Sequence, residues 1–279
     1  MAQATNTRRP GALASGVREA RASYAFVERN WNLTKRYWGW EIAFLIYSAA
    51  ASMSIMFIGK AQGDNSELIL FLAIGTLVWS YLNSVFMNMA EMIAWERWEG
   101  TIEYTMMAPI SRLTHMFGQS IFAILYGILR STLLLGVLAL FFDIDLAGAN
   151  LFGALLVIIV GSLSFIGFGI IGAVLPLLFP EKGEQMTFII SSLLLLVSGV
   201  YYPIEVLPGW MQPFSYISPA TYVLDAMRAA ILDGEGTIDL LPKMLPLLLI
   251  GAITIPLGMY IFGYFERFAK RTGRLKRSG

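Results

Sequence analysis

Six stretches of this chain are long and apolar enough to cross a lipid bilayer: 42–59, 68–90, 119–142, 151–179, 186–202 and 244–265. A crossing helix needs about 20 mostly apolar residues, within a range of roughly 17–25. Inside hydrocarbon, backbone amides and carbonyls must be satisfied by the protein itself, which restricts the chain to very few folds. The composition agrees, with 57% hydrophobic and 14% charged residues, against about 25% charged in soluble domains. The fold expected is an all-α membrane protein with six transmembrane helices. The first apolar run begins only at residue 42, so the N-terminus does not read as a cleavable signal.

Lysine and arginine set the orientation. Residues 1–37 hold Arg8, Arg9, Arg18, Arg21, Arg29, Lys35 and Arg36, and residues 267–279 hold Arg267, Lys270, Arg271, Arg274, Lys276 and Arg277. With both termini cytoplasmic, loops 91–118 and 180–185 add Arg97, Arg112 and Lys182, leaving Lys60, Arg228 and Lys243 outside. Sixteen against three is a strong bias, and an even number of spans satisfies it. Three parts follow: a cytoplasmic segment 1–37, a transmembrane domain 38–266 and a basic tail 267–279. Within the first, Val17, Ala20, Tyr24, Val27 and Trp31 recur every three or four residues. That stripe predicts an amphipathic helix over 17–37, lying in the membrane interface with its bases near anionic lipid.

Between the second and third runs lies a charged segment, about 92–110, whose core reads WERWEGTIEYTMMAP. Trp95, Trp98, Ile102 and Met106 predict one helical stripe, with Glu96, Glu99 and Glu103 beside it. Like charges at i, i+4 cost a helix a few tenths of a kcal/mol. A basic partner surface would relieve them, and so would water. Pro109 ends the helix, because proline lacks a donor and holds Ala108 out of the helical region. Glu96-Arg97-x-Glu99-Gly100-Thr101-x-Glu103 followed by Pro109 resembles the signature between spans two and three of type-2 ABC transporter permeases. The resemblance implies a coupling helix that docks on a separate ATP-binding subunit, with Glu96, Arg97, Glu99, Gly100, Thr101, Glu103 and Pro109 at the contact.

Residues 199–233 are too apolar for an ordinary loop, yet Pro203, Pro208, Pro213 and Pro219 interrupt them too often for one straight helix. An outer re-entrant or interfacial helical hairpin over about 203–233 satisfies both facts. Irregular backbone at membrane depth is tolerated only under protein or beside a water cavity. Asp225 and Arg228 are three apart and can pair. The run Pro203-Ile204, Leu207-Pro208-x-Trp210, Ser218-Pro219-x-Thr221-Tyr222 and Arg228 is similar to the external helices of the same family. There they cap the translocation path, which implies an outer gate at Pro203, Pro208, Trp210, Pro219, Tyr222, Asp225 and Arg228. The resemblance covers roughly residues 25–268.

Arg130 lies within the third run. An arginine at the centre of a bilayer helix costs roughly 2.5–3.5 kcal/mol on insertion scales, so it should face the bundle interior or a watery path. It reads equally as a substrate or gate contact and as a polar clamp between helices. Gly127 with Ser131, Thr132 with Gly136, and Gly169 with Ala173 permit close helix approach. Pro176 and Pro180 end or kink the fourth run. His115, the single histidine, reads as packing or loop.

Cysteine is absent, so disulfides and thiolate sites are excluded, and one histidine leaves no histidine metal cluster. No catalytic residues and no metal site are expected on this chain. No G-x-x-x-x-G-K-[ST] phosphate loop occurs, so ATP and Mg²⁺ are expected on a partner ATPase. The family implies a homodimeric permease with two ATP-binding subunits in a prokaryotic cytoplasmic membrane, exporting by alternating access and binding no nucleic acid. Hydrophobic or amphiphilic cargo (a drug, an antibiotic or a lipid) suits the apolar, aromatic-rich lining. Lipid-linked polysaccharide is the alternative cargo. An ion-coupled secondary transporter is the rival class, but such proteins place carboxylates at the bilayer midplane. Here Glu41 sits at a span end.

Overall fold

The structure is a computed structural model that describes residues 12–62, 66–142, 144, 146 and 148–275. Of the basic residues that set the orientation, Arg8, Arg9, Lys276 and Arg277 lie outside the described residues. In order, the elements are α1 (Ala12–Arg36), α2 (Trp38–Ala61), α3 (Ser66–Glu99), α4 (Ile102–Met107), α5 (Arg112–Ala139), α6 (Leu151–Gly172), α7 (Val174–Leu178) and α8 (Gly183–Val197). A 3-10 turn (Ile204–Val206), α9 (Gln212–Ser215), α10 (Pro219–Ile231) and α11 (Thr237–Arg271) complete the chain. Among the described residues there is no strand.

Five helices are long and apolar enough to cross a membrane: α2, α3, α5, α6 continued by α7, and α11. The run 186–202, expected as a span, yields only the 15 residues of α8. At 1.5 Å per residue these reach about 22 Å, short of an apolar layer of about 30 Å. Gly199 at φ 67° turns the chain, and Pro203 follows in extended backbone. The fourth run breaks between α6 and α7 at Ala173. Pro176 causes this, because its ring clashes with the carbonyl four residues before it and it cannot donate to that turn.

α3 sits at the centre. Tyr81, Leu82, Val85, Phe86 and Met89 on it are essentially inaccessible. The Tyr81 hydroxyl and Ser162 Oγ, 2.6 Å apart, pin α3 to α6. α6 packs in turn on α11 through small residues. Ser164 donates to the Leu247 carbonyl at 2.6 Å, and a Cβ on Gly167 would lie 2.1 Å from Thr254 Oγ1. Where apolar burial cannot favour one neighbour over lipid, close backbone approach and such hydrogen bonds supply the contact. Of the small residues noted in sequence, Gly127 seats the Tyr81 ring and Gly169 seats Met89, whereas Gly136 faces open space.

That difference is testable. Gly167→Val should lower the unfolding midpoint of the detergent-solubilised protein, since overpacking typically costs about 1–3 kcal/mol. Gly136→Ala should leave the midpoint unchanged. Equal midpoints for both variants would contradict this packing.

Candidate functional site: the charged elbow and the cleft beside Arg130

α3 continues past its apolar run to Glu99 and stops at Gly100, whose φ of 78° suits glycine. The Thr101 amide donates to Glu96 O and the Gly100 amide to Arg97 O, which closes the helix end as a Schellman turn. α4 follows and ends at Met107, because Ala108 is extended (φ −60°, ψ 142°) ahead of Pro109. Ser111 then caps α5, accepting from the Thr114 amide at 3.0 Å. The charged segment is therefore an elbow of two helices, not the single stripe expected. Trp95 and Trp98 belong to the first arm, Ile102 and Met106 to the second. Ile102 and Met106 are buried, while Trp98 is 69% exposed. The spacing alone could not reveal the bend, since a three-four-four pattern runs unbroken across Gly100.

The predicted coupling residues divide into three sets. Glu99, Glu103 and Pro109 face solvent, beside the exposed side chains of Trp98, Tyr104 and Met107. Gly100 and Thr101, half-buried, form the bend between the arms. Glu96 and Arg97 instead point inward, only 1% and 4% exposed. Glu96 Oε1 accepts from Arg29 of α1 at 2.8 Å and lies 3.5 Å from His115 Nε2 of α5. Gln119 approaches the same histidine nitrogen at 3.4 Å, and Asn30 donates to Gln119. A carboxylate this deep is costly unless paired, and here it joins three helices. Arg97 donates to the Arg274 carbonyl at 2.5 Å, which holds the C-terminal end against the elbow.

α4 has a second anchor. Arg112 at the start of α5 grips Glu266 of α11 with Nε, 3.0 and 2.9 Å from the two carboxylate oxygens. The same guanidinium donates to the carbonyls of Thr105 (3.2 Å) and Met106 (2.5 Å). Lys270 adds Glu266 at 2.6 Å and Met106 O at 3.3 Å. Cations thus satisfy carbonyls at the end of α4 that have no helical partner.

α1 docks on α5 rather than lying free. Ser23 donates to Thr114 O at 3.1 Å, and a Cβ on Gly118 would meet Ser23 O at 2.6 Å. The Thr114 hydroxyl donates to Glu19, a bond that holds this carboxyl below the usual carboxylate range. The apolar stripe foreseen on this helix faces outward, with Val17 and Tyr24 56% and 67% exposed.

At the opposite end, α8, α9 and α10 form the irregular segment. Pro203, Pro208 and Trp210 are exposed, Pro219 is buried at the first turn of α10, and the half-buried Tyr222 donates to Tyr216 O at 2.9 Å. Arg228 does not form the expected ion pair with Asp225, which is exposed. Its guanidinium lies 3.6 Å from the Phe71 ring centroid and donates to Gly199 O (3.1 Å) and Val200 O (2.9 Å). Carbonyls stranded at the end of α8 accept these bonds better than a solvated carboxylate. The neighbouring contact is tight as well: a Cβ on Gly75 of α3 would lie 2.2 Å from Val200 O.

Arg130 lines a cleft of about 790 Å³ between α2, α3 and α5, with Phe188 of α8 at its edge. Its guanidinium donates to Ser48 Oγ at 3.0 Å and to Phe44 O at 3.4 Å, while its buried Nε has no partner. Glu41 and Glu91 also line the cleft. Tyr126 donates to Glu41.

His115, Arg29, Gln119, Arg112 and Glu266 were missed as site residues. Their partners lie far apart in sequence, which leaves only a weak signal: His115 and Gln119 share a helix face four residues apart. Replacing Glu96 by alanine should cost about 3–5 kcal/mol, because Arg29 and His115 lose their buried partner. Limited proteolysis should then release α1 before the rest of the chain is cut. Release of α1 at the wild-type rate would refute the anchoring role.

Residues 22–232 match the ABC-2 type transporter family. Over 222 residues the chain is 24% identical to the "Probable multidrug ABC transporter permease YbhR" of Escherichia coli (strain K12), covering 75% of this chain. It spans 59% of that relative's length. It is also 26% identical over 175 residues to "ABC transporter G family member 20" of Dictyostelium discoideum, covering 62% of this chain and 23% of that protein. With most of its length inside the family match and five bilayer-length helices, the chain belongs to the ABC-2 type transporter family, as a permease that spans the membrane.

Proposed function

We propose that the chain is the membrane subunit of an ATP-driven exporter that moves a hydrophobic or amphiphilic compound out of the cytoplasm or the inner leaflet. Two copies pair, and each elbow docks on a separate ATP-binding subunit that carries ATP and Mg²⁺. The complex sits in a prokaryotic cytoplasmic membrane with both termini inside. α8 and the turn after it act as a sixth, interrupted crossing, and α9 and α10 cap the path outside.

The observation that carries this reading is the wiring of the elbow. Its outer surface offers Glu99 and Glu103 among the exposed Trp98, Tyr104 and Met107. Its inner surface is joined to α1 and α5 through Glu96, and to α5 and α11 through Arg112 and Glu266. A displacement applied to Glu99 and Glu103 therefore passes into two long helices and the α1 brace by charge-assisted bonds, the stronger class of hydrogen bond. Rigid elements with discrete packed contacts carry motion further than loops do. Export of an apolar compound agrees with the multidrug description of the Escherichia coli relative.

The test is charge reversal on the exposed face. In the complex purified with its ATPase, Glu99→Lys with Glu103→Lys should cut substrate-stimulated ATP turnover at least about tenfold, since like charges then meet across the contact. Thermal stability of the permease should hold, because neither side chain is buried. Normal assembly and normal ATP-driven transport by the double variant would exclude this docking surface.

A further inference from the structure

The cleft beside Arg130 has a composition that selects among apolar compounds. Its 790 Å³ falls within the span of small-molecule sites, about 300–1,000 Å³. Aromatic side chains dominate its lining: Tyr37, Trp40, Phe44, Trp95, Trp98 and Tyr126. Ring faces attract cations within about 6 Å and offer nothing comparable to anions.

The charges point the same way. Glu41, Glu91 and Arg130 line the cleft, two carboxylates against one guanidinium. Arg130 is engaged with Ser48 and Phe44, and Glu41 with Tyr126. Glu91 makes no hydrogen bond and no ion pair among the described residues. Glu184 on α8 and Glu41 repel its charge, and Arg130 attracts it without a direct contact. Glu91, within the last turns of α3, touches no cation directly, and two further acids act on it against one guanidinium, so a cation entering the cleft meets a net negative site. In such surroundings attraction between opposite charges is several times stronger than in water.

We propose that this cleft binds monovalent lipophilic cations, with Glu91 as the counter-ion and the ring faces of Trp40 and Trp95 as the cradle, the Phe44 ring being already faced by Arg130 at 6.0 Å. The proposal rests on the exporter reading for its biological meaning and names the substrate class of that exporter. Selection is by sign of charge more than by shape. An apolar cation gains both the carboxylate and the ring faces, an apolar neutral molecule gains only contact area, and an apolar anion meets repulsion.

Tetraphenylphosphonium and tetraphenylborate have nearly the same size and shape and opposite charge, so they isolate this term. Their equilibrium binding is measured to the full chain in nanodiscs of zwitterionic lipid, with empty nanodiscs subtracted and no nucleotide present. The phosphonium should bind saturably and at least about tenfold more tightly than the borate. Glu91→Gln should weaken the phosphonium by about five- to tenfold, and Glu91→Asp, which keeps the charge, should restore most of it. Tighter borate binding that falls with Arg130→Gln would overturn the proposal in favour of an anionic headgroup site. Equal affinity for the two ions, no saturable binding, or phosphonium binding indifferent to Glu91→Gln would also overturn it. Because nucleotide is absent, failure here leaves ATP-driven transport of a neutral drug untouched, and loss of ATP coupling leaves the binding result untouched.

Discussion

A carboxylate at 1% exposure governs the end of this molecule where α3 bends into α4. Glu96 sits on the last turns of α3, where the helix leaves its apolar run and bends at Gly100. Transfer of a bare carboxylate to that depth would cost several kcal/mol. Arg29 and His115 remove the cost only if α1 and α5 stand in one position. The placement of the N-terminal helix, the register of α5 and the height of the elbow are thereby set together. Gln119 and Asn30 extend the same network, so each helix is fixed by more than one bond. Glu96 Oε2, His115 Nδ1 and one terminal nitrogen of Arg29 remain buried without a partner, so the network is only partly satisfied and sensitive to any shift of the three helices.

Sequence reasoning recovered what depends on local pattern. Long apolar runs gave α2, α3, α5, α6 and α11, because hydrocarbon length is a one-dimensional requirement. Pro109 ended a helix as expected, because its effect on Ala108 acts between adjacent residues. The apolar stripe on α1 was read correctly, yet its buried face was not. That face carries Ser23, Phe26 and Asn30, and its partners on α5 lie roughly ninety positions away, as the separation of 91 for Ser23–Thr114 illustrates. Glu96 was grouped with Glu99 and Glu103 because all three are acidic and closely spaced. Only the turn at Gly100 and the arrival of α1 separate one buried carboxylate from two exposed ones. Arg228 was matched with Asp225 on the same logic of spacing. The better acceptors were backbone carbonyls at the end of another helix, which no side-chain pattern can display. The fifth run was legible as short and bounded by Pro203, but its stop at Val197 was not, because hydropathy does not register a glycine with positive φ.

The proposed docking face and the proposed substrate cleft occupy neighbouring but different parts of the same half of the bundle. Trp95 and Trp98 line the cleft and also sit on the first arm of the elbow, and the two rings lie 5.3 Å apart. Asn30, next to Arg29 in α1, lines the cleft as well. Any shift of the elbow large enough to move Glu96 must therefore reshape one wall of the cleft. That link is geometric and needs no long pathway. It also implies reciprocity: a molecule that favours one shape of the cleft must bias the elbow by the same free energy.

The two ends of the bundle are held by different acceptors. Beside the elbow, Arg29, Arg112 and Lys270 grip carboxylates through short charge-assisted bonds, and removing one partner strands a buried charge. At the opposite end, Arg228 donates to neutral carbonyls, Ser198 and Ser218 face each other at 2.6 Å, and Gly75 provides a seat without a side chain. The Arg228 bonds are charge-assisted as well, at about 1.5–3 kcal/mol each, and Lys243 pairs with Glu235 at 2.6 Å just beyond α10. The elbow is tied by carboxylates to α1, α5 and α11, whereas Arg228 ties α10 to the turn after α8 and to Phe71 of α3. In the exporter proposed above, an end joined to three helices passes a push to all of them at once, and none can slip against the elbow without stranding a buried carboxylate.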